Sequence, residues 1–182
     1  MVDYFKSLPH CARKHLLELA TQVTGVVPIG TRNFSVQTRK LNPRILPRAL
    51  LKKVPAQTYK NHLYLYYFQL VNNPDLAKIE QTFLNTKKME KDRRAYPRFN
   101  EQSKFLYVGA SFNIYQRFKE HLGYGSKSTY SLQLAHWACN LNLELDFIYG
   151  EYPQGIGRDI IQVIEDTLWD ELRPMFGRRG QR

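Results

Sequence analysis

A cation and a titratable ring share one face of a helix predicted over about 112–122. Arg117 and His121 are four residues apart, which places them one above the other on that helix. Apolar residues occupy the neighbouring row, so the pair borders the buried side. A fixed guanidinium beside an imidazole suits an oxyanion or a phosphate group. Two ordinary surface residues would show the same spacing, so both interpretations stand at this point.

A carboxylate on the apolar side of a second helix is the next candidate. Glu165 lies four residues after Ile161 and four before Trp169, within a helix predicted over 158–172. A carboxylate that faces a core is unfavourable unless it is paired or bound to a cation. The pattern therefore leaves two alternatives, which are a structural salt bridge with Arg117 and a ligand for a hard cation such as Mg²⁺.

Tyrosines supply the third element of this constellation. Tyr64 and Tyr66 share a face of one predicted strand, and Tyr107 lies on another. A buried phenol needs a hydrogen-bond partner, and a phenol can donate to phosphate oxygens or relay a proton. Most tyrosines in strands only pack, so the pattern is also consistent with core residues.

The elements that must position these residues follow from hydrophobic periodicity, turn residues and prolines. Their order predicts a small α/β domain, in which helices flank a three-stranded sheet. Strands are predicted over 63–71, 104–109 and 143–149, and helices over 10–24, 75–95, about 112–122, 129–140 and 158–172. We expect residues 61–182 to form the body, with an insertion on the surface at about 72–103. Residues 1–60 are predicted to form an N-terminal helix and an extended, proline-interrupted arm with a short helix at 47–53.

Positive charge is concentrated in the N-terminal third. The 182-residue chain has a net charge of +11, and residues 1–60 hold eleven lysines and arginines against two acidic residues. Such a bias indicates a polyanionic partner. We therefore expect the arm to bind DNA through Arg32, Arg39, Lys40, Arg44, Arg48, Lys52 and Lys53.

Several classes of protein fit the sequence poorly. Two cysteines outside any CxxC pair predict neither a disulfide framework nor a zinc site. The sequence shows no apolar signal core and no stretch long enough to span a membrane, so we expect a cytoplasmic protein without a membrane partner. An RNA-binding module built on an aromatic sheet motif is a weaker alternative, because that motif is not found.

The stretch LYVGASFNIYQRFKEH, residues 106–121, resembles the second half of the GIY-YIG nuclease motif. The first half of that motif is similar to residues 62–67, where Tyr64 is the better match for its tyrosine and Tyr66 is the substitute. The C-terminal helix resembles the family's metal-binding segment, with Pro174 after it. The resemblance covers residues 62–180 and depends on Tyr107, Gly109, Arg117, His121 and Glu165.

Three features depart from the family pattern. About forty residues separate the two tyrosine motifs, where the minimal family has a tight hairpin. Ala110 stands where many members carry lysine, and Gly177 stands where many carry asparagine.

The resemblance implies hydrolysis of a DNA phosphodiester bond by water. Glu165 would be the metal ligand for Mg²⁺ or Mn²⁺, Arg117 would bind the phosphate, and His121 would assist proton transfer. Tyr64 or Tyr66 would help to deprotonate the water, and Tyr107 would position it. One such centre cuts one strand, so cleavage of a duplex requires a homodimer or two successive nicks.

We expect a type II restriction enzyme, because restriction enzymes of this family often carry insertions and N-terminal arms. The alternatives are a repair or mobile-element nuclease that nicks structured DNA, and a catalytically inactive DNA-binding module.

Overall fold

A computed structural model describes residues 4–56, 62–89 and 93–180, and it shows an α/β chain. The described residues form four strands and six α-helices, with short 3₁₀ turns at 38–40 and 139–141. In chain order the elements are α1 (Tyr4–Thr24), β1 (Gly30–Gln37), α2 (Arg48–Leu51), β2 (Leu63–Leu70), α3 (Leu76–Met89), β3 (Phe105–Ser111), α4 (Ile114–Leu122), α5 (Leu134–Trp137), β4 (Glu144–Tyr152) and α6 (Arg158–Leu172).

The four strands form one antiparallel sheet in the order β1-β4-β2-β3. Central strand β2 is covered on both faces, which explains why its sequence is an almost continuous apolar and aromatic run. Tyr66 of β2 lies opposite Gly109 of β3 and opposite Tyr149 of β4. Residues directly opposite one another point to the same face, so this register brings the second half of the predicted motif beside the first.

Helices pack on both faces of the sheet. On the face that carries Tyr66, the ring of Phe68 stacks with Phe118 of α4 at a centroid distance of 6.2 Å. On the opposite face, Leu63 and Leu65 form a small cluster with Ile161 of α6. The helices that carry Arg117 and Glu165 therefore belong to opposite layers, and both reach the edge formed by β3.

The fourth strand is the main departure from the expected three-stranded sheet. β1 comes from the segment that was predicted as an extended arm, and it pairs with β4 along all eight of its residues. Its sequence is polar and its burial is slight, because it is an edge strand. The pairing partner lies more than a hundred residues away, so local periodicity carries no signal for it.

The segment between β2 and β3 is less superficial than expected. Ile79 and Phe83 of α3 are fully buried, and the Phe83 ring lies 4.3 Å from the ring of Phe176. The helix predicted over 129–140 is shorter, because Gln133 and Asn142 adopt positive φ values of 56° and 50° at its two sides.

The N-terminal helix is present, but its apolar side is largely uncovered. Leu16 remains 64% exposed and Leu8 remains 55% exposed, whereas Leu19 and Val23 are partly buried. Of the remaining structure, α1 contacts mainly α6. Within the described ranges, none of the helices combines the length and the apolar character needed to cross a membrane.

Candidate active site

Three of the predicted site residues meet at one phenol oxygen. Arg117 Nε donates a hydrogen bond to Tyr66 Oη at 2.9 Å, and His121 Nε2 lies 3.0 Å from the same oxygen. Arg117 Nη2 also donates to Tyr107 Oη at 3.0 Å. The rings of Tyr66 and Tyr107 are almost parallel, with centroids 6.3 Å apart. Strands β2 and β3 and helix α4 thus bring together two tyrosines, an arginine and a histidine, which we call the tyrosine cluster.

The hydrogen-bond network assigns the tautomer of His121. Its Nδ1 accepts a bond from the backbone N–H of Leu132 at 3.1 Å, so that nitrogen carries no proton. Burial, and then the charge of Arg117, hold the pKa of His121 well below its ordinary value, so the ring is neutral. The single ring proton therefore lies on Nε2 and points at Tyr66 Oη.

This assignment fixes what the Tyr66 hydroxyl can do. Its oxygen accepts one bond from Arg117 and one from His121, which uses both lone pairs. Burial raises the pKa of Tyr66 above its ordinary value, against the opposing charge of Arg117, so the phenol keeps its proton. The phenol proton is then the remaining hydrogen-bonding group of Tyr66. The arrangement makes Tyr66 a hydrogen-bond donor oriented by its two neighbours.

Gly109 permits this arrangement because it has no side chain. A Cβ at this position would lie 2.6 Å from Tyr66 Oη and 3.1 Å from the Tyr107 ring. Atoms at such distances overlap, so any side chain at Gly109 would displace the hydroxyl from Arg117. The glycine of the predicted motif is therefore explained by the position of Tyr66.

The guanidinium of Arg117 is more fully engaged by the protein than expected. Besides the two tyrosines, Nη1 donates to Glu120 Oε2 at 3.1 Å and Nη2 donates to the carbonyl of Tyr130 at 3.1 Å. These contacts use four of the five N–H groups of an arginine. Burial alone would lower the pKa of Arg117, but the oxygens of Tyr66 and Tyr107 hold it above its ordinary value. Arg117 therefore orients the two phenols, and its salt-bridge partner is Glu120, not Glu165.

Glu165 lies half-buried on α6, as its place on the apolar stripe predicts. It lines a cleft of about 520 Å³ together with Ala110, Ser111 and Gly155. Desolvation, and then the nearby charge of Asp166, raise the pKa of Glu165 to about 7, while the backbone amide of Ala110 and the charge of Arg117 oppose this rise. The charge of Arg117 thus reaches the carboxylate, and among the described residues Glu165 forms no salt bridge.

The donor set around Glu165 fits one kind of metal. In the described ranges, no group of three or more histidine, cysteine, aspartate or glutamate side chains is arranged to hold an ion. Asp166 is engaged elsewhere, with Arg179 at 3.4 Å and with Gln162 at 2.8 Å. A single carboxylate in an open cleft suits Mg²⁺, which keeps several waters and commonly takes one or two protein carboxylates plus phosphate oxygens.

Tyr64 contacts a carboxylate of β4. Its hydroxyl donates to Glu151 Oε1 at 3.2 Å, and His62 Nδ1 lies 2.5 Å from the same oxygen. The preferred match for the first-motif tyrosine therefore packs beside β4, while the substitute, Tyr66, contacts Arg117 and His121. Glu151 was not identified from the sequence, because its role depends on the pairing of β2 with β4.

Tyr149 and Arg32 extend the same face of the sheet. Tyr149 is 2% exposed and lies opposite Arg32 in the register of β4 with β1. Burial raises the pKa of Tyr149, and the charge of Arg32, directly opposite on β1, opposes that rise. We expected Arg32 to contact DNA from an extended arm, whereas the sheet places it beside the buried phenol of Tyr149, which packs against Tyr64.

The other arm residues predicted to bind DNA follow β1 along the surface. Arg39 and Lys40 lie in the turn after the strand, Arg48 lies in α2, and all seven predicted residues are exposed. Lys53 Nζ lies 5.6 Å from the centre of the Phe34 ring. These positions leave the charged groups available to a partner.

Comparisons with protein-family models, with curated proteins and with solved structures found no match to this chain.

Proposed function

We propose that this chain is a metal-dependent endonuclease that hydrolyses phosphodiester bonds in DNA with chemistry of the GIY-YIG type. The observation that carries the proposal is the tyrosine cluster, in which Arg117 and His121 both donate to Tyr66 Oη. Hydrogen-bond donors that the fold already orients around a phenol, within electrostatic reach of the Glu165 carboxylate, suit a reaction that builds negative charge on phosphate oxygens.

The roles of the side chains follow from their hydrogen bonds. Tyr66 and Tyr107 each accept from Arg117, so each can direct its own proton towards a phosphate oxygen or an attacking water. Arg117 and His121 act as positioning residues for Tyr66. Glu165 would hold Mg²⁺ or Mn²⁺, which when bound neutralises charge that develops at the leaving oxygen.

Among nucleases, we propose a type II restriction enzyme. The basic segment before β2 and the long segment between β2 and β3 are the features that favour this class. A structure-specific nuclease of repair or of mobile elements uses the same chemistry. Cleavage of an unmodified linear duplex at one sequence distinguishes the restriction enzyme from a nuclease that requires branched or flapped DNA.

The proposal is tested by nicking of supercoiled plasmid with Mg²⁺ and with EDTA. Glu165→Gln removes the metal ligand while keeping the shape of the side chain, and Glu171→Gln is the matched control on an exposed position of α6. We expect cleavage by the wild type and by Glu171→Gln, but not by Glu165→Gln, and retained DNA binding in all three. Full cleavage by Glu165→Gln would refute the metal site.

A second candidate function is a DNA-binding module without catalytic activity. It is favoured by the engagement of Arg117, whose N–H groups are mostly used within the protein, and by the complete burial of His121. In that case the wild type binds plasmid but leaves it supercoiled with Mg²⁺ and with Mn²⁺.

A further inference from the structure

A cleft lined by positive charge lies beside the tyrosine cluster and outside the predicted DNA-binding arm. It measures about 620 Å³ and is formed by the end of α3, the segment 93–98, the loop before α5 and the C-terminal segment. Its aromatic lining comes from Tyr96 and Tyr130, and its charged lining comes from Lys87, Arg93, Arg94, Arg98 and Arg178. We call this feature the basic cleft.

The structure describes no acidic partner for the charges of the basic cleft. Among the described residues, no aspartate or glutamate lines the cleft, and none of its five cations forms a salt bridge with an acid. Two of them are held by neutral oxygens, since Arg94 Nη1 donates to Gln133 at 2.8 Å and Lys87 Nζ donates to the carbonyl of Pro97 at 3.1 Å. Like charges gathered in a concave surface concentrate a positive potential, which favours an anionic ligand.

The basic cleft shares a wall with the candidate active site. The carbonyl of Tyr130 accepts a bond from Arg117, while the Tyr130 ring is 58% exposed. On the other side, Gly177 packs against the Tyr107 ring, where a Cβ would lie 3.2 Å from Cε2. Its N–H donates to the carbonyl of Arg98 at 2.9 Å, and Arg178 follows it. Two lining residues therefore connect the basic cleft to the tyrosine cluster, Tyr130 through Arg117 and Arg98 through Gly177.

We infer that the basic cleft binds the phosphodiester backbone of the nucleic acid strand beside the bond that is cut. The inference rests on the proposed nuclease function for the identity of the polyanion. The positive charge of four guanidinium groups and one ammonium group is more than one phosphate can neutralise. Several consecutive phosphates of a nucleic acid strand supply enough negative charge to pair with all of them. The exposed ring of Tyr130 can stack on a base or a sugar. Phosphate affinity is therefore assigned to the body of the protein in addition to its N-terminal segment.

The test measures DNA affinity against salt concentration, without divalent metal. The variant Arg93→Gln/Arg98→Gln/Arg178→Gln removes three charges from the cleft and leaves Arg94 and Lys87, which have internal partners, in place. The control Lys78→Gln/Lys104→Gln removes exposed charges from the body of the protein, outside both the basic cleft and the N-terminal segment. Fluorescence anisotropy with a labelled duplex gives the affinity, and circular dichroism verifies that all variants fold.

Each phosphate contact contributes about 0.9 to the slope of log K against log salt. We therefore expect the loss of three charges in the cleft variant to flatten this slope by about 2–3. The control is expected to keep the wild-type slope. Equal slopes for the cleft variant and the control would overturn the inference. A competition experiment gives a second way to overturn the inference. If low-millimolar inorganic phosphate displaces DNA from the wild type, and chloride at matched ionic strength does not, the cleft is a small-anion site.

The outcome is separable from that of the proposed function, because binding is measured without cleavage. A flattened slope in a protein that never cuts DNA supports the basic cleft and refutes the nuclease. Cleavage by the wild type together with an unchanged slope refutes the basic cleft and supports the nuclease.

Discussion

Removal of one hydroxyl group tests the central arrangement of the tyrosine cluster. Tyr66→Phe keeps the ring but leaves the N–H groups of Arg117 Nε and His121 Nε2 without their acceptor. His121 is fully buried, so its donor is left unsatisfied at a cost of about 1–3 kcal/mol. The Arg117 side chain is 19% exposed, so water compensates in part and about 1 kcal/mol is added. We therefore expect a loss of about 2–4 kcal/mol in the free energy of unfolding.

Urea unfolding followed by tryptophan fluorescence measures this loss. Tyr67→Phe is the matched control, because Tyr67 is the next residue of β2, points to the opposite face and packs its ring against Phe105. The control is expected to stay within about 0.5 kcal/mol of the wild type. If Tyr66→Phe were as stable as Tyr67→Phe, the hydroxyl would not be the acceptor that holds Arg117 and His121. With DNA and Mg²⁺, donation of the Tyr66 proton predicts a fall in turnover of about 10²-fold or more, without weaker DNA binding.

Three further substitutions examine the neighbours of Tyr66. Arg117→Lys loses the planar fork that reaches both tyrosines, so turnover is expected to fall by about 10²-fold and a wild-type rate would contradict the positioning role. Gly109→Ala places a methyl group in the space of the Tyr66 hydroxyl, so it is expected to lower the free energy of unfolding in urea by about 1–3 kcal/mol. In the control Gly30→Ala the added methyl group meets no atom within 4 Å, so little change in stability is expected. His121→Gln removes a group whose pKa is lowered in the folded state. Below about pH 6.5 the unfolded wild-type chain binds a proton at His121 that the folded protein does not bind. The wild type should therefore lose stability relative to the variant as the pH falls, by up to about 1.4 kcal/mol per pH unit. Parallel stability curves of the two proteins between about pH 5 and 7.5 would contradict the neutral, buried state of His121.

Local sequence patterns were sufficient to predict the helices that carry the site residues. The helix predicted over 158–172 is confirmed as Arg158–Leu172, and the end of α4 is confirmed at Gly123, which adopts a φ of +102°. The start of α4 differs by two residues, since Asn113 accepts the capping bond from the Gln116 N–H and Ser111 accepts from Asn113. Helical periodicity and capping act over a few residues, so a single sequence carries them.

Long-range pairing accounts for what could not be predicted. The choice between Tyr64 and Tyr66 depends on the register of β2 against β3 and β4, which alternation alone does not determine. The hydrogen-bond partners of Arg117 could be predicted only in part. Its contact with Glu120 is local, but the contact with the carbonyl of Tyr130 depends on how the loop before α5 packs.

The pairing of β1 with β4 also limits how this protein can form during synthesis. β4 lies between β1 and β2 in the sheet, yet it is the last of the four strands to leave the ribosome. Until residue 152 emerges, β1 has no strand to pair with, and β2 is open along one side. Contacts between distant parts of a chain are slow to form, and unpaired strand edges favour aggregation. The helix that carries Glu165 is made later still, so the tyrosine cluster and Glu165 can be assembled only after residue 172 has been synthesised. A nascent chain that ends before this helix therefore lacks the assembled groups proposed to cut DNA.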